Sequence, residues 1–289
     1  MIPATFDCHT PASIDDALSI LAEYGDDAKI LAGGHSLLPM MKLRFATPAH
    51  LIDLNRIDEL CGIGEDSGTI VIGAMTTENQ LIDSKLLADK CPLLPEAAAK
   101  IGDPQVRNRG TIGGDICHGD PANDQPAVTM AADATYVLRG PGGERSVHSS
   151  EFFLGSFATA MKSDEIMTAV RIPAANGSSG SAYVKLKRKT GDWATAATAV
   201  TLTLDGGTCS SIRIALTNLA PTAIRVSRAE QALTGKAIDE GLIDDAAGHA
   251  MAACEPTADL RGDVEYKTHM AGEMTRRAIR LALARAGGE

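Results

Sequence analysis

Two motifs with paired glycines constrain this chain more than any other feature of its sequence. The first, Gly-Gly-His-Ser at 33–36, follows a short apolar run, and the second, Thr-Ile-Gly-Gly-Asp, occupies 111–115. Paired glycines let backbone amides approach an anion closely, because no Cβ stands in the way and a positive φ is allowed. If both motifs serve one ligand, the chain between them must return to the same place. The pattern therefore predicts a long, diphosphate-containing ligand held by two loops.

A plain structural explanation stays open for each motif taken alone. The first motif could be a tight strand-to-helix turn in which Ser36 is only a helix cap. The common nucleotide motifs are absent from the sequence, because no G-x-G-x-x-G opens a βαβ unit and no G-x-x-x-x-G-K-[ST] occurs. Rossmann and P-loop folds are therefore disfavoured.

Size and charge exclude other classes of function. The chain has 289 residues, 44% hydrophobic and 22% charged, a composition typical of a globular protein large enough for about two domains. Its 27 basic and 37 acidic residues give a net charge of −10, so the chain as a whole does not attract phosphate backbones. We therefore expect no nucleic-acid partner.

Neither the apolar segments nor the cysteines indicate a membrane span or a metal site. No apolar stretch approaches the ~20 residues that a membrane helix needs, and the first residues carry no basic or apolar signal region. Six cysteines are scattered without a C-x-x-C spacing, and only Cys117 and His118 are adjacent. We expect a cytoplasmic chain with no transmembrane segment, buried thiols and no metal of its own.

Hydrophobic periodicity predicts an α+β chain. Helices are expected at 13–24, after the first glycine motif, as two segments within 78–102, and at 126–132, 225–234, 239–253 and 265–286. Strands are expected at 29–32, 50–54, 68–77, 135–139, 165–172, 182–188, 194–204 and 211–219. The stretch 103–114 is dense in turn-forming residues, and 173–181, rich in Ala, Gly and Ser, is predicted to link two domains.

Three segments together resemble one known family. They are AGGHSLLPMMKLR at 32–44, TIGGD at 111–115 with GDPANDQPA behind it, and KLKRKTGDWATAA at 185–197. Over essentially its whole length the chain is similar to the flavin-bearing medium subunit of molybdenum hydroxylases, and within that family most to the medium subunits of aerobic carbon monoxide dehydrogenases.

The resemblance implies an FAD-binding fold of the vanillyl-alcohol oxidase and p-cresol methylhydroxylase type. In such an α+β fold two subdomains hold the diphosphate between them, and here a C-terminal α+β domain with a three-stranded sheet and helices would follow. We expect FAD-binding subdomain 1 at 1–56, subdomain 2 at 57–175 and the C-terminal medium-subunit domain at 176–289. The residues implied to hold the diphosphate of a non-covalent FAD are Ala32, Gly33, Gly34, His35 and Ser36 on one side and Thr111, Ile112, Gly113, Gly114 and Asp115 on the other.

Three further residues are implied to lie near the cofactor. Asp115 stands where the family commonly has Asn, and because a carboxylate would repel a diphosphate, we expect it to face the ribose or a backbone N–H. Asp124 matches a family carboxylate that could accept hydrogen bonds from adenosine hydroxyls, with a helix cap as the alternative. Met167 falls where relatives place an apolar contact to the cofactor, with a core methionine as the alternative.

Two lysines and the single tryptophan complete the expected site. Lys185 and Lys187 lie on one face of a strand, where a cation near the flavin N1/O2 edge would favour the reduced anion. The alternative is a solvated basic strand edge that discourages aggregation. Trp193 lies where relatives bring this domain over the isoalloxazine, so it is expected to cover the flavin or else to anchor a core or interface.

By resemblance, the chain is an electron-transfer flavoprotein subunit. A large subunit would hold molybdopterin, a small subunit would carry two [2Fe-2S] clusters, and the FAD of this chain would pass electrons to an external acceptor. Carbon monoxide is the expected substrate, and the assembly would be a dimer of heterotrimers in the cytoplasm, reaching the inner face of the membrane through its partners. No catalytic residue is expected in this chain. The alternatives are a stand-alone FAD-dependent oxidase and a flavin-free structural subunit.

Overall fold

Three β-sheets, each accompanied by helices, follow one another along the chain. The structure is a computed structural model that describes residues 1–175 and 178–287. The predicted linker at 173–181 is shorter in the structure, because one strand ends at Pro173 and the next begins at Ser178. Residues 176 and 177 of that predicted linker lie outside the described residues.

The first sheet is parallel and carries the first glycine motif at one strand end. Its strands are β1 (Asp7–His9), β2 (Ala28–Leu31) and β3 (His50–Asp53), in the order β1-β3-β2, and its helices are α1 (Ile14–Tyr24) and α2 (Leu37–Lys42). The Ser13 hydroxyl caps α1 by accepting from the Asp16 amide, as the sequence indicates. Because β2 and β3 are parallel and Leu31 pairs with Asp53, the chain leaves both strands at the same edge of the sheet.

The second sheet is antiparallel, with the strand order β4-β5-β10-β6-β7. Its strands are β4 (Ile63–Asp66), β5 (Thr69–Gly73), β6 (Thr135–Gly140), β7 (Gly143–His148) and β10 (Ile166–Pro173), and β8 (Phe153–Gly155) and β9 (Ala158–Thr159) form a separate hairpin. The helices of this part are α3 (Glu78–Ile82), α4 (Lys85–Lys90), α5 (Leu93–Ala98), α6 (Pro104–Arg107), α7 (Ile112–His118), α8 (Asp124–Ala131) and α9 (Ser149–Phe152).

Two local predictions for this region are wrong. The segment 78–102 contains three helices instead of two, because the Ser84 hydroxyl caps a new helix at Lys85 and Pro92 precedes another. The stretch dense in turn formers contains α6 and leads directly into α7, so the second glycine motif belongs to a helix.

The third sheet is antiparallel and packs against the C-terminal helices. Its strands are β11 (Ser178–Leu186), β12 (Ala196–Asp205), β13 (Thr208–Thr217) and β14 (Ile224–Arg225), followed by α10 (Ser227–Leu233), α11 (Glu240–Ala253) and α12 (Val264–Gly287). The two-residue β14 is a fourth strand beyond the three predicted. Helix α12 lies so close to β11 that a Cβ on Gly180 would stand 1.9 Å from the Ala282 carbonyl oxygen.

Three clusters of buried apolar side chains accompany the sheets, and the cluster of the second sheet also contains Tyr183, Ala197 and Ala215 of the third. The strands of the three sheets fall within 1–56, 57–175 and 176–289 in turn, while the domain limits themselves stay a prediction. Among residues 1–175 and 178–287, no helix has the length and apolar character needed to span a membrane.

Candidate functional site

The two glycine motifs meet in space. A Cβ on Gly33 would stand 2.1 Å from the carbonyl oxygen of Arg109, two residues before the second motif. A Cβ on Gly114 would lie 3.5 Å from the Cβ of Ala32. Only glycine at position 33 permits this approach of two backbones, because any side chain would collide with main-chain atoms. The long segment between the motifs therefore returns to one place, as the spacing requires.

The second motif forms the cap and first turn of α7, and its amides are already engaged. The Thr111 hydroxyl caps the helix by accepting from the Gly114 amide at 3.1 Å. The other three donors and acceptors are Ile112 N to Thr76 O at 3.0 Å, Gly113 N to Ala74 O at 2.9 Å and Asp115 N to Thr111 O at 2.9 Å. No unused amide donor remains at 112–115. The structure therefore does not support the prediction that amides of both motifs bind one anion.

The first motif has the donors that the second lacks. Within the described part of the chain, the amides at 33–36 find no hydrogen-bond acceptor. The Ser36 hydroxyl makes no capping bond, so the plain-cap explanation of this residue does not hold. Gly34 has φ +78°, a conformation that L side chains rarely adopt. A row of four amides and a hydroxyl is a site for an anion.

The donors of Gly33, Gly34 and His35 border a cleft of about 350 Å³, whereas Ser36 does not line it. The charged side chains of its lining are two cations, Lys42 of α2 and Arg109, and one carboxylate, Asp53. Asn55 lies beside them, accepts from the Arg109 guanidinium at 3.2 Å and donates to the Ala32 carbonyl at 3.1 Å. Sequence reasoning missed Lys42, Arg109 and Asn55. The available signals were the position of Arg109 just before the second motif and of Asn55 just after β3.

Asp115 lies on the far side of the second motif from Ala32. Its Oδ2 accepts from the backbone N–H of Gln125 at 3.0 Å, in agreement with the expectation that Asp115 turns to a backbone amide. Burial and then the neighbouring Asp124 carboxylate raise the pKa of Asp115 to about 7, against the opposing effect of the Gln125 amide.

Asp124 and Lys185 form a buried ion pair at 2.7 Å. The other carboxylate oxygen of Asp124 accepts from the Tyr183 hydroxyl. Lys185 and Lys187 both donate to the Lys100 carbonyl, at 3.3 and 3.1 Å, so they share a face as the strand period predicts. Lys185 is buried, so a solvated basic edge does not describe it. Burial and the charge of Lys185 lower the pKa of Lys187.

Met167 and Trp193 are not bonded to the ion pair of Asp124 and Lys185. Met167 is 4% exposed, belongs to the core of the second sheet, and its sulfur lies 3.8 Å from that of Cys117. Trp193 is 51% exposed and has the Arg261 guanidinium 5.5 Å from its ring centre. Its backbone amide donates to Asp192, which also pairs with Arg261.

Three groups of predicted residues result. The first group is the first glycine motif, which borders the cleft, and the second is the buried cluster of Asp115, Asp124 and Lys185. Helix α7 connects the two groups, because Gly114 contacts Ala32 and Asp115 contacts Gln125. The cleft fits the phosphates of an anionic cofactor, because four amides of the first motif have no acceptor among the described residues. A Cβ at position 33 would separate the two loops. In the third group, Met167 contacts Cys117 of α7 through its sulfur, whereas Trp193 contacts Asp192 and Arg261.

The described parts of the chain contain no metal cluster, but the Ser150 hydroxyl lies 2.7 Å from His148 Nδ1, and Asp133 lies 3.3 Å from His148 Nε2. These three residues are not among those that line the cleft. The His118 ring packs edge-on against Phe157, and burial lowers its pKa. The six cysteines are free thiols, but the expectation that all are buried is wrong, because Cys8 and Cys61 are exposed.

Comparisons with known proteins agree with this architecture. The family described as the FAD binding domain in molybdopterin dehydrogenase matches residues 4–175, and the CO dehydrogenase flavoprotein C-terminal domain matches 181–282. The carbon monoxide dehydrogenase medium chain of Hydrogenophaga pseudoflava is 56% identical, and that of Afipia carboxidovorans 49%, each over 99% of both chains. A solved carbon monoxide dehydrogenase from Hydrogenophaga pseudoflava superposes with a TM-score of 0.97 at 58% identity, covering 99% of both chains. The chain belongs to the FAD-binding medium subunits of molybdopterin-dependent dehydrogenases, and it is an oxidoreductase subunit.

Proposed function

We propose that this chain is the flavoprotein subunit of a carbon monoxide dehydrogenase and relays electrons from a partner subunit to an external acceptor. The observation that carries the proposal is the row of uncommitted amides at 33–35, which borders a cleft with two cationic side chains. A diphosphate needs both donors and cations. The full-length similarity to carbon monoxide dehydrogenase medium chains supports the choice of complex.

The residues of the chain bind and orient the cofactor. The amides at 33–36 and the Ser36 hydroxyl would donate to the diphosphate, and Arg109 and Lys42 would offset its charge. Lys187 would supply positive charge at the flavin edge, whereas the charge of Lys185 is already paired with Asp124. Trp193 would cover the ring from the third sheet. When bound, FAD supplies the capacity to exchange electrons with both one-electron and two-electron partners.

The proposed complex divides the chemistry among three chains. A large molybdopterin subunit would oxidise the substrate, and a small subunit with two [2Fe-2S] clusters would deliver electrons to this chain. The absence of a metal cluster from the described residues is compatible with this division. We further propose a dimer of heterotrimers in the cytoplasm.

Co-expression with the large and small subunits tests the proposal. The purified complex should contain one FAD for each copy of this chain and should reduce an added dye when carbon monoxide is supplied. A Gly33→Ala complex should lose FAD and dye reduction while keeping the reduction of its [2Fe-2S] clusters by carbon monoxide. Retention of dye reduction without FAD would refute the proposed relay.

The same preparation separates the alternatives. A stand-alone oxidase would turn over without partner chains, whereas a structural subunit would show no flavin absorption in the complex. No observation on the structure favours either alternative over the relay.

A further inference from the structure

A buried polar cluster lies beneath the second glycine motif. It contains three carboxyl groups, on Glu78 of α3, Asp115 of α7 and Asp124 of α8. Glu78 is 1% exposed, and among the described residues Lys185, bonded to Asp124, is the one cation paired with any of the three carboxyl groups. Because one cation faces three acids, full ionisation would leave uncompensated charge in the interior.

Glu78 and Gln125 face each other with one hydrogen bond and two unused oxygens. Gln125 Nε2 donates to Glu78 Oε2 at 2.8 Å. Glu78 Oε1 and Gln125 Oε1 are buried and have no hydrogen-bond partner among the described residues. Both atoms are acceptors when Glu78 is ionised, so neither can satisfy the other. A proton on the carboxyl group would turn one of them into a donor.

The surrounding charges favour that proton. Burial and then the nearby Asp115 carboxylate raise the pKa of Glu78 well above its usual range, although the Gln125 bond opposes the shift. Asp124 acts in the same direction. On the other helices packed against α3, Arg107 of α6 bonds to the Ile101 carbonyl through Nη1, and its buried Nε has no partner among the described residues. Glu96 of α5 pairs with Lys100, which follows that helix, and Lys90 of α4 pairs with Glu65.

We propose that Glu78 and Gln125 are a proton-binding site formed as a reciprocal acid–amide pair. Glu78 keeps a proton on Oε1 and donates it to Gln125 Oε1, while Gln125 Nε2 donates back to Glu78 Oε2. Two hydrogen bonds then satisfy all four buried polar groups of the pair. On ionisation Glu78 releases this proton to water and leaves one negative charge beneath α7.

The position of Glu78 links this proton to the glycine motif. The Glu78 amide donates to the Gly110 carbonyl at 2.9 Å, and the neighbouring Thr77 forms a β-bridge with Thr111. Loss of the proton therefore places negative charge directly behind the helix that contacts the first motif. If that motif binds the FAD diphosphate, as proposed above, FAD affinity should fall when Glu78 ionises.

Infrared spectroscopy on the full cofactor-free chain tests the proton itself. At about pH 8.5 Asp115, with its pKa of about 7, is ionised, so a remaining protonated-carboxyl band isolates Glu78. The band should shift in D₂O and be absent from Glu78→Gln. Its absence from the wild-type protein at this pH would overturn the proposal.

Two variants of Glu78 separate the proton from the packing. Glu78→Gln keeps a reciprocal amide–amide pair and should unfold at the wild-type temperature or above, while Glu78→Ala should unfold lower because Gln125 loses both partners. Equal destabilisation by both variants would contradict the reciprocal pair.

A third measurement, which rests on the proposed function, is FAD affinity as a function of pH. The wild-type affinity should fall about tenfold as Glu78 ionises, the size of one uncompensated charge acting through protein, and Glu78→Gln should not show this fall. An equal fall in both proteins would overturn the link between Glu78 and the motif. Failure of both proteins to bind FAD at any pH would instead refute the proposed function and leave the infrared result standing.

Discussion

Replacing Gly33 by Ala tests the contact on which the candidate site depends. The added Cβ would lie 2.1 Å from the Arg109 carbonyl oxygen and 2.9 Å from Gly110 Cα, whereas ordinary contact begins at 3.4 Å. The two backbones must therefore separate by about 1.3 Å, and neither can swing aside as a side chain would. Overpacking of this kind costs about 1–3 kcal/mol.

The separation should affect both stability and cofactor binding. The unfolding temperature should fall by several degrees, since about 2–4 °C corresponds to each kcal/mol in chains of a comparable size. A displacement of this size breaks hydrogen bonds to an anion, and the loss of two at about 1.5 kcal/mol each weakens FAD binding about 100-fold. Thermal unfolding and a fluorescence titration with FAD measure the two effects.

Gly64→Ala is the matched control. Gly64 lies in β4, has no atom within 4 Å of an added Cβ and is not among the residues with positive φ. Alanine there should leave FAD affinity unchanged and stability equal or slightly higher. If Gly33→Ala behaved like Gly64→Ala in both assays, the argument from backbone contact would be refuted.

Three further predictions concern the buried cluster and the tryptophan. Lys185→Met should lower the free energy of unfolding, measured in urea, by about 3–5 kcal/mol, because it leaves the buried Asp124 without its partner. Adding Asp124→Asn should recover most of the loss, and equal stability of the single and double variants would contradict this. Asp115 has its pKa raised to about 7 by folding, so the folded chain holds the extra proton between about pH 4 and 7, and its stability should fall as pH rises through that window. Asp115→Asn should flatten this part of the pH profile, and superimposable profiles would argue against the shifted carboxyl. Trp193 is the only tryptophan and is 51% exposed, so FAD binding should quench its emission if it covers the flavin, whereas unchanged emission with bound FAD would place it elsewhere.

The helix α7 illustrates a local pattern that tertiary contacts override. Two successive glycines disfavour a helix, so the sequence predicts a turn at 111–115. In the structure Thr111 caps a helix there, and Gly113 is required because a Cβ would lie 2.6 Å from that of Ala74. The glycines permit close packing of α7 on the end of β5, which no local propensity could reveal.

The basic residues of the site divide in the same way. That Lys185 and Lys187 share a face followed from the two-residue period of a strand. That Lys185 is paired with Asp124 depends on how β11 packs near the start of α8, which is a contact between residues far apart in the chain. Asn55 reaches the site through the parallel pairing of β2 with β3, and Arg109 reaches it because its backbone contacts Gly33.

The sequence by itself predicted most of the strands and helices, the family and the first glycine motif as a candidate anion site, because these depend on short-range patterns and on the absence of a Cβ. Only the tertiary structure decided that the amides of 112–115 are already used, that Asp124 belongs to a buried ion pair, and that Glu78 and Gln125 face each other with unsatisfied oxygens. The physical reason is that hydrogen-bond partners and desolvation are properties of long-range packing, which short-range sequence patterns do not record.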